Sequence, residues 1–369
     1  PIYYWVNKQE MAVPPDAGYV ALVNCTRITV QELNLTNNVE GVLLAFTTNS
    51  TVNKNNIANN SVNIELYHSS NNTIRGNSVS GTPANIEITF QGISLSYSSN
   101  NNISRNNITA SKYEGISLGS SNYNSIVGNK ITANKGTGIE LTGSSNNIVS
   151  GNSVANNYDG IKVQGSSNYN KIYGNKITAN KWPGTPFGDG IGLSQSLNNI
   201  VSRNSITSNW YGIRLAESSD NKIFHNNLID NTQQVHIQTF GYANFWDDGY
   251  PSGGNYWSDY DGVDLYSGPY QNETGGDGIG DKPYIIGADN QDRYPLMVHW
   301  PPSEHELVTS IIGPAFLWLG SSIPLEAIVM NVGVYDETDV ELALLIDGTI
   351  VNSTMITFLR VSDSYTLSY

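Results

Sequence analysis

Residues 106–141 read NNITASKYEGISLGSSNYNSIVGNKITANKGTGIEL and contain the same cassette twice. In each copy Asn-x-Ile is followed nine residues later by Gly-Ile-x-Leu, first at Asn106 and Gly115 and then at Asn129 and Gly138. A cassette that returns at a fixed period of this length is typical of proteins built from stacked units, because one such unit cannot bury its own apolar face. This repeat decides the fold.

The cassette recurs at intervals of 22 or 23 residues, with two exceptions. The first position of Gly-Ile-x-Leu is called the glycine step below. Aligned on this position, the copies start at Gly18, Gly41, Asn63, Gly92, Gly115, Gly138, Gly160, Gly190, Gly212 and Gln234. The two longer intervals are 29 and 30 residues, and each contains an insertion, at residues 81–91 and 181–189. The repeat therefore predicts about ten stacked coils over residues 1–239.

Apolar residues inside the cassette have the spacing of a β-strand. In Gly115-Ile116-Ser117-Leu118 the aliphatic residues lie two apart, and Val127-Gly128-Asn129-Lys130-Ile131 is interpreted as a second strand. Runs such as Ser144-Ser145-Asn146 favour turns between strands. We therefore predict an all-β protein whose repeat region is a right-handed parallel β-helix.

One asparagine position is kept through eight successive coils. Its members are Asn55, Asn77, Asn106, Asn129, Asn152, Asn175, Asn204 and Asn226. Identical carboxamides stacked at strand spacing can donate and accept hydrogen bonds along the rod. We interpret this column as structural.

Charge and composition divide the rest of the chain. Residues 1–239 hold fifteen Lys and Arg against thirteen Asp and Glu, whereas residues 240–302 hold ten acids against two bases. The acidic segment is also rich in aromatic residues, and an open β-helix end needs a cap. We therefore predict that residues 240–302 cap the helix, with Phe245, Trp246, Tyr256 and Trp257 closing its core.

The acidic segment also contains candidate calcium ligands. Asp259, Asp261 and Asp264 are spaced to direct oxygens at one hard cation, and Asp277 and Asp281 flank a glycine-rich turn. The match to an EF-hand loop is partial, because no bidentate Glu follows. Calcium is therefore a candidate cofactor, and a segment that only caps the end of the β-helix is the alternative.

Residues 303–369 have a different character. Segments 323–332, 340–346 and 349–358 alternate like antiparallel strands, with Asp347-Gly348 at a hairpin turn. An immunoglobulin-like sandwich needs about 100 residues, and 67 remain here. We expect an incomplete sandwich that either continues in a longer protein or receives a strand from another subunit.

The coils together with Gly254-Asn255-Tyr256-Trp257 and Gly276-Asp277-Gly278-Ile279 resemble the NosD-type β-helix family, found in archaeal surface proteins. Asn331-Val332-Gly333 resembles the CARDB-type adhesion modules. The first resemblance implies an exported rod with a sugar-related role. The family name also implies copper. The residues do not support copper, because the five histidines are scattered and no Met or Cys lies with them.

A candidate glycan site lies around the glycine step. The position before it holds Asp159 and Asp189, which should lie one coil apart, as paired carboxylates at a glycosidic bond would. Aromatic residues that could hold sugar rings lie beside them. These residues are Tyr113, Tyr158, Trp182, Trp210 and Tyr211.

Three interpretations of this face remain open. The aromatic residues can stack along the rod as structure, they can bind a glycan, or Asp159 and Asp189 can catalyse hydrolysis or elimination in a polysaccharide. We favour an extracellular, non-catalytic surface protein for adhesion, glycan contact, or assembly into a layer or filament. The polysaccharide hydrolase or lyase is the alternative.

Several sequence features agree with an extracellular location. A single cysteine, Cys25, excludes a disulfide framework, and the absence of a basic face makes nucleic acid an unsuitable partner. The apolar stretch 311–330 is interrupted by Pro314, Pro324 and Glu326, so no transmembrane segment is expected there. Sequons for N-glycosylation occur at Asn24, Asn34, Asn49, Asn59, Asn71, Asn102, Asn107, Asn272 and Asn352.

Overall fold

The computed structural model describes residues 1–81, 91–181, 187–238, 242–300, 307–312, 325–331, 337–360 and 364–368. These residues form strands and turns and contain no helix, and therefore no helix able to cross a membrane. The chain divides into two units, Pro1–Val298 and His299–Tyr369. The all-β prediction is confirmed for the described residues.

Three parallel sheets run along the first unit. The first sheet contains Ile2–Val6, Tyr19–Val23, Glu40–Ala45, Val62–Tyr67, Gln91–Ser96, Ile116–Gly119, Ile139–Thr142, Ile161–Gln164, Asp189–Ser194, Tyr211–Ala216 and Gln233–Ile237. The second contains Thr29–Gln31, Thr51–Asn53, Thr73–Arg75, Asn102–Ser104, Ser125–Val127, Ile148–Ser150, Lys171–Tyr173, Ile200–Ser202 and Lys222–Phe224. The third contains Asn34–Thr36, Asn56–Ala58, Ser78–Ser80, Asn107–Thr109, Lys130–Thr132, Ser153–Ala155, Lys176–Thr178, Ser205–Thr207, Asn227–Ile229 and Tyr256–Trp257.

The pairing of the first sheet follows the predicted cassette alignment with one correction. Ile116 pairs with Ile139, and Ile161 pairs with Ile191 across the longer insertion. At the start of the chain, however, Val20 pairs with Val42, which places Tyr19 and not Gly18 at the glycine step. The register is fixed by buried aliphatic residues such as Val20, so the nearest glycine in the sequence was the wrong marker.

A corner divides the stretch that the sequence predicted as one second strand. Ser125–Val127 belongs to the second sheet and Lys130–Thr132 to the third. Between them Gly128 has a φ of 64°, and the equivalent Arg105 has a φ of 54°. The prediction of a single strand was wrong, because a left-handed residue before the column asparagine turns the chain onto a new sheet.

All three sheets direct aliphatic side chains to one continuous core. In one coil Ile126, Ile131, Ile139 and Leu141 come from the three sheets in turn, and each is fully buried. Burial of such a side chain contributes about 1.5–3 kcal/mol to folding. The outward positions of the strands are consequently the ones available for function.

The predicted asparagine column forms a hydrogen-bonded ladder inside the rod. Each Nδ2 donates to Oδ1 of the asparagine one coil later, at 2.9 Å from Asn152 to Asn175, for example. Each Oδ1 also accepts the backbone N–H of the preceding asparagine, as Asn152 does from Asn129 at 2.9 Å. Because these carboxamides occupy buried corners, they satisfy backbone groups that no strand can reach.

Two further asparagine ladders were not predicted from the sequence. One runs Asn72, Asn101, Asn124, Asn147, Asn170, Asn199, Asn221 and Asn244, and another runs Asn134, Asn157, Asn180, Asn209 and Asn231. The ladder that begins at Asn134 explains why glycine is used at the glycine step. A Cβ at Gly115 would lie 2.6 Å from Ile131 Cγ2 and 3.1 Å from the ladder amide of Asn134.

The predicted asparagine column, which runs from Asn55 to Asn226, ends in the segment that follows the coils. Asn226 donates to Asn255 at 2.9 Å, and Asp292 Oδ2 accepts the backbone N–H of Asn255 at 2.7 Å and Nε1 of Trp257 at 2.9 Å. Burial raises the pKa of Asp292 to about 7, whereas these N–H donors favour its ionised form. A Cβ at Gly254 would overlap the same carboxylate.

The predicted aromatic closure of the core is confirmed in part. Trp246 and Trp257 are buried and belong to the rod core, and Tyr284 stacks on Trp257 at 4.1 Å. Phe245 is 56% exposed, so its predicted place in the core was wrong. Phe245 pairs with Lys222 on the second sheet and points outward, since its neighbour Trp246 takes the inward position. The remaining strands here are Tyr266–Ser267, Glu273–Thr274, Tyr284–Gly287 and Asn290–Asp292.

The second unit contains antiparallel strands. Leu307–Ile312, Glu326–Asn331 and Ser364–Ser368 form one sheet, and Glu337–Ile346 and Thr349–Leu359 form a hairpin. The predicted turn is confirmed, because Asp347 and Gly348 both have positive φ, at 50° and 77°. Val329, Leu342, Leu344, Ile356 and Leu359 belong to its core.

We predict that Asn152→Ala destabilises the first unit by about 2–3 kcal/mol. The substitution removes the acceptor of two buried N–H groups of Asn129, its backbone N–H and its Nδ2, and each orphaned donor costs about 1–3 kcal/mol. Urea unfolding followed by circular dichroism measures the loss. Lys176→Ala, an exposed position of the next coil, is the control, and equal stability of the two variants would contradict the ladder's role.

Candidate functional site

The two predicted acids lie together on the outer side of the first sheet. The backbone N–H of Asp189 donates to Asp159 Oδ1 at 2.8 Å, and both side chains are buried. Arg214 Nη1 lies 3.4 Å from Asp189 Oδ2. The structure therefore brings a carboxylate pair and one guanidinium together, as one coil of separation requires.

Gly192 makes room for this arrangement. A Cβ on Gly192 would stand 2.9 Å from Asp189 Oδ2, so the carboxylate lies over the glycine. The same region is a depression of about 120 Å³. It is lined by Lys162, Gln164, Asp189, Gly192, Leu193, Ser194, Arg214 and Ala216.

Burial raises the pKa values of both acids. It raises the pKa of Asp189 to about 6, with a further increase from the charge of Asp159 and a partial decrease from Arg214. Burial also raises the pKa of Asp159, against the hydrogen bond from the Asp189 backbone. A carboxyl with a pKa near 6 can hold or release a proton at mild pH, which is the property that acid–base chemistry needs.

The predicted aromatic residues alternate with glycine along the rod. Two positions before the glycine step, successive coils carry Tyr113, Gly136, Tyr158, Gly188 and Trp210. Tyr113 is 40% exposed, and Tyr158 and Trp210 are partly exposed. Because rings occur on every second coil, a glycine separates each ring from the next one along the rod. This alternation is visible in the sequence but was not predicted. Trp182 lies outside the described residues.

Tyr211 extends the aromatic set towards the depression. Its ring stacks on His236 at 4.4 Å, and Trp210 meets it edge-on at 6.4 Å. Arg214 pairs with His236 across the sheet, so the stack and the guanidinium face the same side. Burial and the charge of Arg214 lower the pKa of His236. This neutral imidazole can accept or donate a hydrogen bond beside the acids.

A second aromatic cluster was not found from the sequence. Phe46, His68 and Tyr97 stack in three successive coils, and Tyr67 packs edge-on against them. The available signal was an aromatic or histidine five residues after the glycine step in each of these coils. It was overlooked because the three residue types differ and lie in turns.

The predicted calcium ligands are held by hydrogen bonds within the acidic segment. Asp264 accepts the backbone N–H of Asp277 at 3.0 Å, Asp281 accepts that of Tyr266 at 3.0 Å, and Asp259 accepts the Tyr284 hydroxyl at 3.1 Å. Within the described ranges no three His, Cys, Asp or Glu side chains form a metal-binding group. Asp261 is exposed. Calcium stays a prediction.

The predicted sequons differ in accessibility. Asn102 is buried, whereas the other eight asparagines are at least partly exposed. Glycan attachment at Asn102 would require local opening of the rod, so Asn102 is the least suitable of the nine.

The sequence comparison agrees with this architecture. The profile of the family described as the right-handed β-helix region matches residues 16–154 and 84–229. The chain belongs to this right-handed β-helix family. No curated protein matches its sequence.

Solved structures of similar fold are known for this β-helix protein. The periplasmic alginate epimerase AlgG is 17% identical with a TM-score of 0.52, and the match covers 63% of this chain and 62% of that one. PfbA, a surface adhesin of Streptococcus pneumoniae, is 17% identical over 60% of this chain and 62% of that one, with a TM-score of 0.46. At these identities the likeness concerns the fold alone.

We predict that Asp189→Asn stabilises the β-helix protein at pH 7 by about 2 kcal/mol. With a pKa raised from 3.8 to about 6, the folded form binds more protons than the unfolded form between these values, so wild-type stability falls as pH rises. Denaturant midpoints at pH 4, 5, 6 and 7 should show that decline in the wild type and a weaker one in Asp189→Asn. Parallel curves for the two proteins would refute the assignment.

We predict that calcium binds the acidic segment and raises the melting temperature by a few degrees, and that EDTA reverses the increase, since a ligand of the folded form alone stabilises it. Asp261→Asn should weaken the response, and Asp230→Asn, an exposed acid on the rod, should leave it intact. A melting temperature that is the same in calcium and in EDTA would remove calcium from consideration.

Proposed function

We propose that this β-helix is an extracytoplasmic surface protein that contacts glycans with the outer side of its first sheet. The observation that carries the proposal is the Asp189–Arg214 depression, with Trp210, Tyr211 and His236 beside it. The NosD-type and CARDB-type resemblances, which imply an exported rod and an adhesion module, support the same proposal. So does the likeness to the alginate epimerase, a protein named for its action on a polysaccharide.

The chemistry of the depression suits sugar hydroxyls. A carboxylate and a guanidinium can each bind two neighbouring hydroxyl groups, and aromatic faces contact the C–H groups of a sugar ring. Tyr113, Tyr158 and Trp210 lie two coils apart, which is about 10 Å at strand spacing. A polysaccharide that lies along the rod could therefore contact aromatic rings at repeated intervals.

Cleavage of a polysaccharide is the second candidate function. Its support is the proximity of Asp159 and Asp189 and the pKa of about 6 for Asp189. In a hydrolase or lyase of this design one carboxyl would donate a proton to the leaving oxygen and the other would act as base or nucleophile. The charge of Asp159 helps to raise the pKa of Asp189 to about 6, which assigns the acid role to Asp189 and the role of base or nucleophile to Asp159.

Assembly into a layer or filament is a further possibility within the surface-protein proposal. The described strands of the second unit form a three-stranded sheet and a separate hairpin, and open sheet edges can accept a strand from another copy. This mode of assembly needs no glycan, which distinguishes it experimentally from the first two functions.

We predict that the protein is retained on at least one polysaccharide and that Trp210→Ala or Tyr158→Ala weakens retention about tenfold, because a lost ring contact costs about 1.4 kcal/mol. Tyr123→Ala, an exposed tyrosine in another column, is the control. Release of reducing ends that Asp189→Ala abolishes would favour cleavage. Polymers formed without any sugar would favour assembly, and no retention by any polysaccharide would refute the proposal.

A further inference from the structure

The outer side of the first sheet is divided by charge. Its strands from Glu40–Ala45 to Ile139–Thr142 carry the acids Glu40, Glu65 and Glu140 and contain no Lys or Arg. The strands that follow carry Lys162 and Arg214. Any ligand of the earlier strands therefore meets different chemistry from a ligand of the Asp189 depression.

Three of these strands, Glu40–Ala45, Val62–Tyr67 and Gln91–Ser96, are each followed by one ring of the stack of Phe46, His68 and Tyr97. Phe46 lies 5.3 Å from His68 with an angle of 3° between the rings, and His68 lies 4.9 Å from Tyr97 with an angle of 8°. These distances match the spacing of successive strands. Phe46 is 52% exposed and Tyr97 is 57% exposed. The stack is thus an ordered aromatic surface in contact with solvent.

The local backbone explains why the rings align. Phe46, His68 and Tyr97 have positive φ values of 52°, 46° and 52° at the same corner of three coils. The backbone N–H at this corner donates to the carbonyl of the residue that precedes the same corner in the next coil. The distance is 2.9 Å from Phe46 to Tyr67 and 3.0 Å from His68 to Ser96. Identical corner geometry in successive coils places the rings directly over one another.

The stack stops at Tyr97, although the corner position continues. In the next three coils this position holds Ser120, Gly143 and Gly165. All three residues are exposed, and a Cβ built on Gly143 would make only ordinary contacts at 3.7 Å, so the surface beyond Tyr97 is an open shelf. One face of the Tyr97 ring therefore looks over small residues, where a further ring would continue the stack.

Polar groups border the shelf on its sheet side. Gln164 Nε2 donates to Glu140 Oε1 at 2.9 Å and to Thr142 Oγ1 at 3.2 Å, and Thr142 Oγ1 donates to the same Glu140 oxygen at 3.1 Å. Thr142 is exposed, and Glu140 and Gln164 are partly exposed. This network offers both acceptors and donors to hydroxyl groups within reach of the shelf.

We infer that Tyr97 and the shelf formed by Ser120, Gly143 and Gly165 are a second glycan site, specific for an uncharged sugar chain. A pyranose ring would stack on the free face of Tyr97, and the following residues of the sugar chain would lie over Gly143, where their hydroxyls would bond Glu140 and Thr142. An acidic polysaccharide is disfavoured at the Tyr97 end, because the strands from Val62–Tyr67 to Ile139–Thr142 carry Glu65 and Glu140 and no lysine or arginine. The inference rests on the glycan contact proposed above and assigns a separate site and sugar class.

Affinity electrophoresis tests the inference with soluble β-1,3-glucan, galactomannan and xyloglucan as uncharged probes and alginate as the acidic probe. We expect an uncharged probe to retard the wild type, and Tyr97→Ala to weaken that binding about tenfold while leaving retardation by alginate unchanged. Ser120→Trp, which fills the shelf without removing Tyr97, should weaken the same binding. Tyr97→Phe should retain it.

Tyr169→Ala is the matched control, because Tyr169 is 59% exposed in a different column. Melting curves establish that each variant is folded. Retardation of Tyr97→Ala and Ser120→Trp equal to wild type overturns the inference, as does a wild type that only alginate retards, although the proposed function then stands. A wild type that no probe retards overturns both. A change in oligomer size alone identifies the stack as a self-association surface and overturns the inference.

Discussion

The rod depends on how its buried corners satisfy the backbone. Each coil turns at three corners, one between each pair of sheets, and at these corners backbone N–H groups point into a water-free interior. Asparagine carboxamides accept those N–H groups, as Asn152 does for Asn129, and donate to carbonyls of the preceding coil, as Asn152 does to Ile126. An apolar residue at these positions would leave several buried polar groups without partners. The aliphatic core can form only when this requirement is met.

Because the interior is fixed, the outer positions of the strands can vary without loss of the fold. Inward positions of the first sheet are aliphatic in almost every coil, whereas the outward position changes from Glu140 to Lys162, Gly192 and Arg214 over four coils. The absence of a side chain at Gly192 is as important as the charges around it, since it admits the Asp189 carboxylate. The same principle applies to the corner after Tyr97, where small residues follow three rings.

The sequence predicted the features that repeat and failed for those that occur once. Aliphatic spacing and the asparagine column were sufficient for the coil alignment, and position in the cassette was sufficient to place Asp159 beside Asp189. Gly18 was misaligned because the buried aliphatic Val20 sets the register, and a glycine happens to lie one residue before the position that aligns with Gly41. The corner at Gly128 was hidden because a left-handed residue interrupts no hydrophobic pattern. The stack of Phe46, His68 and Tyr97 depends on ring orientation at a turn, which residue type alone does not specify.

The direction of the ladders has an electrostatic consequence. In each ladder the carboxamide oxygen faces the earlier coil and one N–H of the amide faces the later coil, so these amides share one direction along the rod. The positive ends of two such rows meet one short strand, Asn290–Asp292, where Asn290 Oδ1 accepts the Asn244 N–H and Asp292 accepts that of Asn255. The terminus of these ladders therefore needs hydrogen-bond acceptors, and one short strand supplies both of them, an amide oxygen and a carboxylate.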